Sequence, residues 1–304
     1  MTYLLFGLGL VLLVAGGDGL VRGASALALR FRVPPLVIGL TIVGFGTSLP
    51  ELLVSVQAAW KGAGGIALGN VVGSNTANIL LILGLSAVVG PVAAAFAGLR
   101  KDLAWMMAAA LVCLPVLWDG QVGRLEGLAL LAGIAVYVGL AFRQIGIGAA
   151  PEVAVMPALR AGLFIAAGLV GLVAGAKLMV DSATLIARGL GVAEAVIGLT
   201  IVAVGTSLPE LATSVAAALK GEREIALGNV IGSNVFNILA ILGMTAVIAP
   251  FAAEARFLAV DVPVMIAVSA ALVAVLWWRG GVPRIAGVGF LLVYAGYVAA
   301  MAVI

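Results

Sequence analysis

Residues 39–62, GLTIVGFGTSLPELLVSVQAAWKG, align without a gap on residues 198–221, GLTIVAVGTSLPELATSVAAALKG, and 18 of the 24 positions are identical. Farther along, residues 66–84, IALGNVVGSNTANILLILG, match residues 225–243, IALGNVIGSNVFNILAILG, at 15 of 19 positions. The offset is 159 residues in both cases. Self-similarity at a fixed offset means a duplicated architecture, and it decides how every other feature is read. The most similar stretches are also the most polar ones, so packing alone does not account for their likeness.

The rest of the chain is strongly apolar. Of its 304 residues 64% are hydrophobic and 10% charged, against roughly 45–50% and about 25% in soluble domains. Mean hydropathy is +1.29. Apolar runs of about 20 residues, each able to cross a hydrocarbon core of about 30 Å, fill nearly the whole length. Breaks at charges, Gly and Pro divide them into ten expected spans, centred near residues 17, 47, 77, 110, 132, 172, 206, 236, 268 and 293. The first run, about Leu4 to Leu29, lacks a basic leader and is too long for a signal-peptide core, so it is expected to remain as a spanning helix.

Five spans per half is an odd number, so the second copy enters the membrane from the side opposite to the first. The expected fold is therefore all-α and integral to the membrane, with ten transmembrane helices in two inverted five-helix repeats whose core helices are interrupted. Residues 1–143 form the first repeat, 144–157 the connection and 158–304 the second repeat. When connections are assigned alternately, one side collects Arg30, Arg32, Arg100, Lys101, Arg143, Arg160, Lys220, Arg223, Arg279 and Arg284, and the other Lys61, Arg124, Arg188 and Arg256. By the positive-inside bias, both termini are expected outside the cytoplasm.

Several activities are excluded by what is missing. The chain has no histidine, which removes serine–histidine catalysis, histidine metal ligation and a histidine proton relay. Its single cysteine, Cys113, lies in an apolar run and reads as a small buried hydrophobe. No GxxxxGK[ST] segment is present, so ATP is not expected to drive it. An intramembrane aspartyl protease needs two core aspartates, whereas the carboxylates related by the repeat are glutamates. The net charge of +3 is spread along the connections and speaks for no nucleic acid. Neither enzyme activity nor a cofactor is expected.

The chemistry is concentrated at the repeated motifs. Pro50 lacks an amide hydrogen and crowds the preceding turn, so the helix around residue 47 should kink or open, as should the second copy at Pro209. Carbonyls freed at membrane depth persist only where protein, water or an ion satisfies them. Thr47 and Ser48 stand four and three residues before Glu51, on one side of the expected break, and Thr206 and Ser207 stand likewise before Glu210. In the next span Ser74 lies four residues before Asn78, and Ser233 four before Asn237. Carboxylates, hydroxyls, amides and released carbonyls make an all-oxygen ligand set, which suits hard cations such as Ca²⁺ or Na⁺. A carboxylate at the bilayer centre costs about 2.5–3.5 kcal/mol. A bound divalent cation would cancel two of them, and protonation is the alternative when none is bound. Competition of ions for the same two charges is a physical route to exchange.

GTSLPE followed by GNVVGSNTAN, and GTSLPE followed by GNVIGSNVFN, resemble the paired alpha-repeats of the calcium/cation antiporter superfamily, on its sodium/calcium exchanger branch. The resemblance covers the whole chain. It implies a secondary antiporter in which Glu51 and Glu210 are the central calcium ligands, shared with the competing ions. Thr47, Ser48, Ser74, Thr206, Ser207 and Ser233 would complete the cation sites, with carbonyls from Gly44 and Ala203, and Asn78 and Asn237 would sit between the sites. Some members carry Asp at one of these amide positions. This chain has Asn at both, a central charge of −2 rather than −3. The hydroxyls imply Na⁺ as the coupling ion, while two protonatable glutamates with neutral amides suit H⁺ instead. A cation channel, which would need an open pore lined by ligands, is the third reading.

Asn70, Asn75, Asn229 and Asn234 read equally as interhelical hydrogen-bonding residues or as site residues ranked after Asn78 and Asn237, and Gly69 with Gly73 and Gly228 with Gly232 fit close-packing pairs, which does not exclude a site role. Asp18, Lys177 and Asp181 fall in the first and sixth spans, which the resemblance makes gating helices, and are expected to snorkel near a helix end or to pair with Arg22. The expected partners are Ca²⁺, Na⁺ or H⁺ and the lipid bilayer, the functional unit a monomer, and the location a prokaryotic inner membrane.

Overall fold

A computed structural model describes residues 2–90, 92–93, 96–143, 156–190 and 203–301. Hydrocarbon offers the backbone no hydrogen-bonding partner, so apolar segments satisfy their own amides by coiling into helices, and the described chain is almost entirely helical. Its helices are α1 (Thr2–Phe31), α2 (Leu36–Thr47), α3 (Leu49–Trp60), α4 (Gly64–Val89), α5 (Phe96–Val116), α6 (Arg124–Phe142), α7 (Ala158–Gly189), α8 (Leu208–Leu219), α9 (Arg223–Ile248), α10 (Phe257–Arg279) and α11 (Arg284–Met301). A helical turn, Ala203–Gly205, precedes α8.

Among the described residues six helices are long and apolar enough to cross a membrane, namely α1, α4, α6, α7, α9 and α10. The bent pair α2 and α3 adds a seventh if it is one span. The other expected spans coincide with α5, which carries Arg100, Lys101 and Asp102 in its first turns, and with the shorter α8 and α11. The expected connection falls largely on residues 144–155, outside the described residues.

The helices α4 and α9 form the centre. Most of their apolar length is buried, 78% and 83%, against 39% and 28% for α1 and α7. Between helices in lipid, close van der Waals contact replaces hydrophobic collapse as the packing force, which favours small residues at crossings. The outer pair α1 and α7 shows this directly. A Cβ on Gly16 would come within 2.8 Å of the Gly168 carbonyl and the Leu172 amide, and one on Gly23 within 2.7 Å of the Ala161 carbonyl. The two helices therefore run antiparallel, backbone against backbone.

Glycines also seat α2 on α9. Gly228 would carry a Cβ 2.7 Å from the Leu36 carbonyl, and Gly232 lies directly against Leu40. The close-packing expectation holds for this pair. For the other expected pair, a Cβ on Gly69 would meet only Phe257, at 3.6 Å, and the repeat equivalents of Leu36 and Leu40, residues 195 and 199, lie outside the described residues.

Two short antiparallel strand pairs tie the halves together. Val92–Ala93 pairs with Gly281–Val282, and Gln121–Val122 with Phe251–Ala252. In each pair one strand comes from each half.

Candidate cation site

The expected break occurs one residue ahead of Glu51's own turn. The helices α2 and α3 meet at an angle of 43°, and the joint is Ser48, at φ −84° and ψ 6°. Ser207 has almost the same backbone, φ −88° and ψ 6°, ahead of α8. Pro50 and Pro209 fall in the first turns of α3 and α8, where a missing amide hydrogen leaves no bond unmade. The prolines thus start the second half-helix rather than merely disrupting the first. On the following helices Asn78 and Asn237 open wider turns with i→i+5 bonding, Asn78–Leu83 and Asn237–Leu242, a local irregularity common at functional positions.

These joints bring both motif pairs to one buried place. Glu51 and Glu210 are each 1% exposed, as are Asn78 and Asn237. The hydroxyls, however, do not serve the glutamates of their own motifs as the spacing suggested. Ser48 Oγ donates to Glu210 Oε1 at 3.0 Å, and Ser207 Oγ to Glu51 Oε1 at 3.4 Å. The bend turns each serine away from its own α3 or α8 and toward the other half. The threonines also cross over: Thr47 Oγ1 donates to Asn229 Oδ1 at 3.1 Å, and Thr206 Oγ1 to Asn70 Oδ1 at 3.4 Å. Thr47 also reaches the Val43 and Gly44 carbonyls.

Most of the bonds in this region have a counterpart 159 residues away. Asn70 Nδ2 donates to the Glu51 carbonyl at 3.0 Å and to Ser55 Oγ at 2.9 Å. Asn229 Nδ2 does the same for the Glu210 carbonyl at 3.3 Å and Ser214 Oγ at 2.8 Å. These bonds anchor the turns that carry the glutamates. Asn75 and Asn234 each donate to the other's backbone carbonyl, at 3.3 and 3.4 Å. Their side-chain oxygens accept from Asn237 Nδ2 at 3.1 Å and Asn78 Nδ2 at 2.9 Å.

That last pair of bonds fixes what Asn78 and Asn237 present. With both amide nitrogens engaged, each Oδ1 is left buried and without a partner. Glu51 Oε2 and Glu210 Oε2 are buried and unpartnered too. Leaving such acceptors unsatisfied away from water costs about 1–3 kcal/mol each, more for a charged one, so four in one buried region make an acceptor set whose chemistry suits a cation. Ser74 Oγ lies 3.5 Å from Ser207 Oγ, and Ser233 Oγ donates to the Gly44 carbonyl at 3.3 Å. Ala203 opens the turn equivalent to Gly44 in the second half. No group of three or more His, Cys, Asp or Glu occurs among the described residues, so a cation here must draw on amides, hydroxyls and carbonyls as well as the two carboxylates.

The sequence description "Sodium/calcium exchanger protein" matches residues 1–143 and 161–303. The chain belongs to the sodium/calcium exchanger family. The sodium/calcium exchanger MaX1 of Methanosarcina acetivorans is 33% identical over 98% of this chain and 97% of its own. The inner membrane protein YrbG of Escherichia coli is 40% identical over 93% and 91%. A solved structure of the sodium-calcium exchanger NCX_Mj, soaked with Na⁺ and Sr²⁺, superposes with a TM-score of 0.87 at 35% identity, covering 98% of this chain and 97% of that one. Membership of this exchanger family makes the chain an integral membrane transporter for cation exchange, Ca²⁺ included, rather than an enzyme.

Of the residues outside the motifs, Asp18 pairs with Arg22 at 2.7 Å, as expected, and also with Lys220 at 2.6 Å. Lys177 pairs with Asp181 at 2.9 Å. Ser55 and Ser214 escaped the sequence reading. Their signal was present: each lies four residues after a motif glutamate, on the same helical face.

Proposed function

We propose that the protein is a secondary-active antiporter that exchanges Ca²⁺ for Na⁺ by alternating access to one site between its two halves. The observation that carries this reading is the set of four buried, unpartnered oxygens on Glu51, Glu210, Asn78 and Asn237. Ca²⁺ takes six to eight oxygen ligands. The hydroxyls of Thr47, Ser48, Ser74, Thr206, Ser207 and Ser233, with the Gly44 and Ala203 carbonyls, supply the remainder. A central charge of −2 is balanced by one Ca²⁺ or by two monovalent ions, so each occupancy expels the other.

In this reading the chain has ten spanning helices in two inverted five-helix repeats, with both termini outside the cytoplasm. The hydrogen bonds that Asn75 and Asn234, 159 residues apart, exchange with each other support the repeat, and the excess of Arg and Lys on one set of connections supports the orientation. A single chain supplies the whole ligand set, which supports a monomer as the working unit. The inner-membrane relative supports a prokaryotic inner membrane as its location.

The neutral amides at both central positions favour a second reading, H⁺ in place of Na⁺, because two carboxylates can take up two protons. Calcium uptake into proteoliposomes, driven separately by an outward Na⁺ gradient and an outward H⁺ gradient, tests both. Uptake with the Na⁺ gradient alone is expected. Uptake that needs neither gradient would sink the exchanger mechanism and favour a channel.

A further inference from the structure

Away from the cation site, the start of α5 and the end of α6 enclose a groove of about 740 Å³ lined by Lys101, Asp102, Trp105, Tyr137 and Arg143 among others. Two of these groups are unusual. Asp102 is only 6% exposed, and Tyr137 is 2% exposed with its hydroxyl buried and unpartnered. Trp105 packs against the Tyr137 ring, 5.6 Å between centroids, and holds it in place.

The repeat supplies a control for Asp102. Its equivalent in the second half is Asp261, also 6% exposed, which is neutralised by Arg256 at 3.4 Å, five residues earlier. The position equivalent to Arg256 is Ala97. Asp102 has no ion pair among the described residues. Conversely, Arg100 and Lys101 stand where the second half has Ala259 and Val260. The first half has thus lost the internal cation and gained cations at the rim. A buried carboxylate without a partner is costly, and this one lines a groove rimmed by Lys101 and Arg143.

We propose that this groove holds the head of an aminophospholipid, with its primary ammonium on Asp102 and its phosphate between Lys101 and Arg143. The ammonium replaces the arginine that the second half carries in its own chain. Basic pockets between helices at the positively charged side of a membrane protein suit lipid phosphates. The carboxylate adds a requirement for a cation with N–H donors, which a choline head lacks and a glycerol head does not carry.

Native mass spectrometry of the full-length protein, released from micelles holding equal phosphatidylethanolamine, phosphatidylglycerol and phosphatidylcholine, tests this. Phosphatidylethanolamine should be retained about tenfold over the other two, the size of one charge-assisted hydrogen bond. In Asp102→Asn that preference should collapse. Ala97→Arg, at an exposed position, should expel the amine lipid by supplying the missing internal cation, and it keeps the test decisive if the Asp102 variant fails to fold. Equal retention of the three lipids, retention of none, or an undiminished preference in either folded variant overturns the proposal.

Discussion

Replacing Glu51 by Gln preserves shape and leaves an oxygen for Ser207, but it puts an NH₂ group where the unpartnered Oε2 now stands. The site charge falls from −2 to −1. Two unit charges 4 Å apart interact by about 4 kcal/mol at an effective dielectric near 20, so a divalent ion loses about 8 kcal/mol of attraction. Desolvation of the carboxylate offsets much of this. If only a quarter survives, about 2 kcal/mol, calcium binding weakens about 30-fold. The introduced NH₂ also points a donor at the ion. Calcium uptake by Glu51→Gln proteoliposomes should therefore be undetectable, while the purified protein elutes as a monodisperse peak. Glu210→Gln should behave alike, because Ser48 engages Glu210 as Ser207 engages Glu51. Uptake within twofold of the unaltered protein in either variant would refute the assignment of the two carboxylates as central ligands.

Three further outcomes follow from the geometry. Asn78→Asp removes the donor to Asn234 and adds a third negative charge, so each transported Ca²⁺ should be exchanged for more positive charge, read as a changed voltage dependence of uptake; an unchanged one counts against Asn78 as a site residue. Gly16→Val drives a side chain into the Gly168 and Leu172 backbone, an overpacking cost of about 1–3 kcal/mol, and should lower the thermal unfolding midpoint in detergent by several degrees. Cys113 is fully buried, so a maleimide should label the protein only after denaturation.

The architecture was legible mainly because membrane spans are set by length and apolarity, and because the repeat doubled the evidence for each motif. All six asparagines and the glycine contacts of α9 could be named from local spacing. The partner choice could not. Ser48 lies three residues before Glu51, and straight-helix geometry puts the two on one side; only the bend at Ser48, which aims its hydroxyl at Glu210, decides otherwise. Such a bond is a property of two broken helices meeting, and no spacing within one motif encodes it. For Ser55 and Ser214 the spacing from the motif glutamates is visible in the sequence, but their role, holding an asparagine from the next helix, is not.

The crossed serines and the crossed strand pairs have a consequence for the halves as separate objects. Expressed alone, residues 1–143 would keep a glutamate without its serine donor, an asparagine without its opposite number, and two strand edges with nothing to pair. Two such fragments facing each other would supply every missing part. The chain thus has the layout of a two-subunit assembly whose subunits have been fused and have since drifted apart at their rims, as at Ala97 and Arg256.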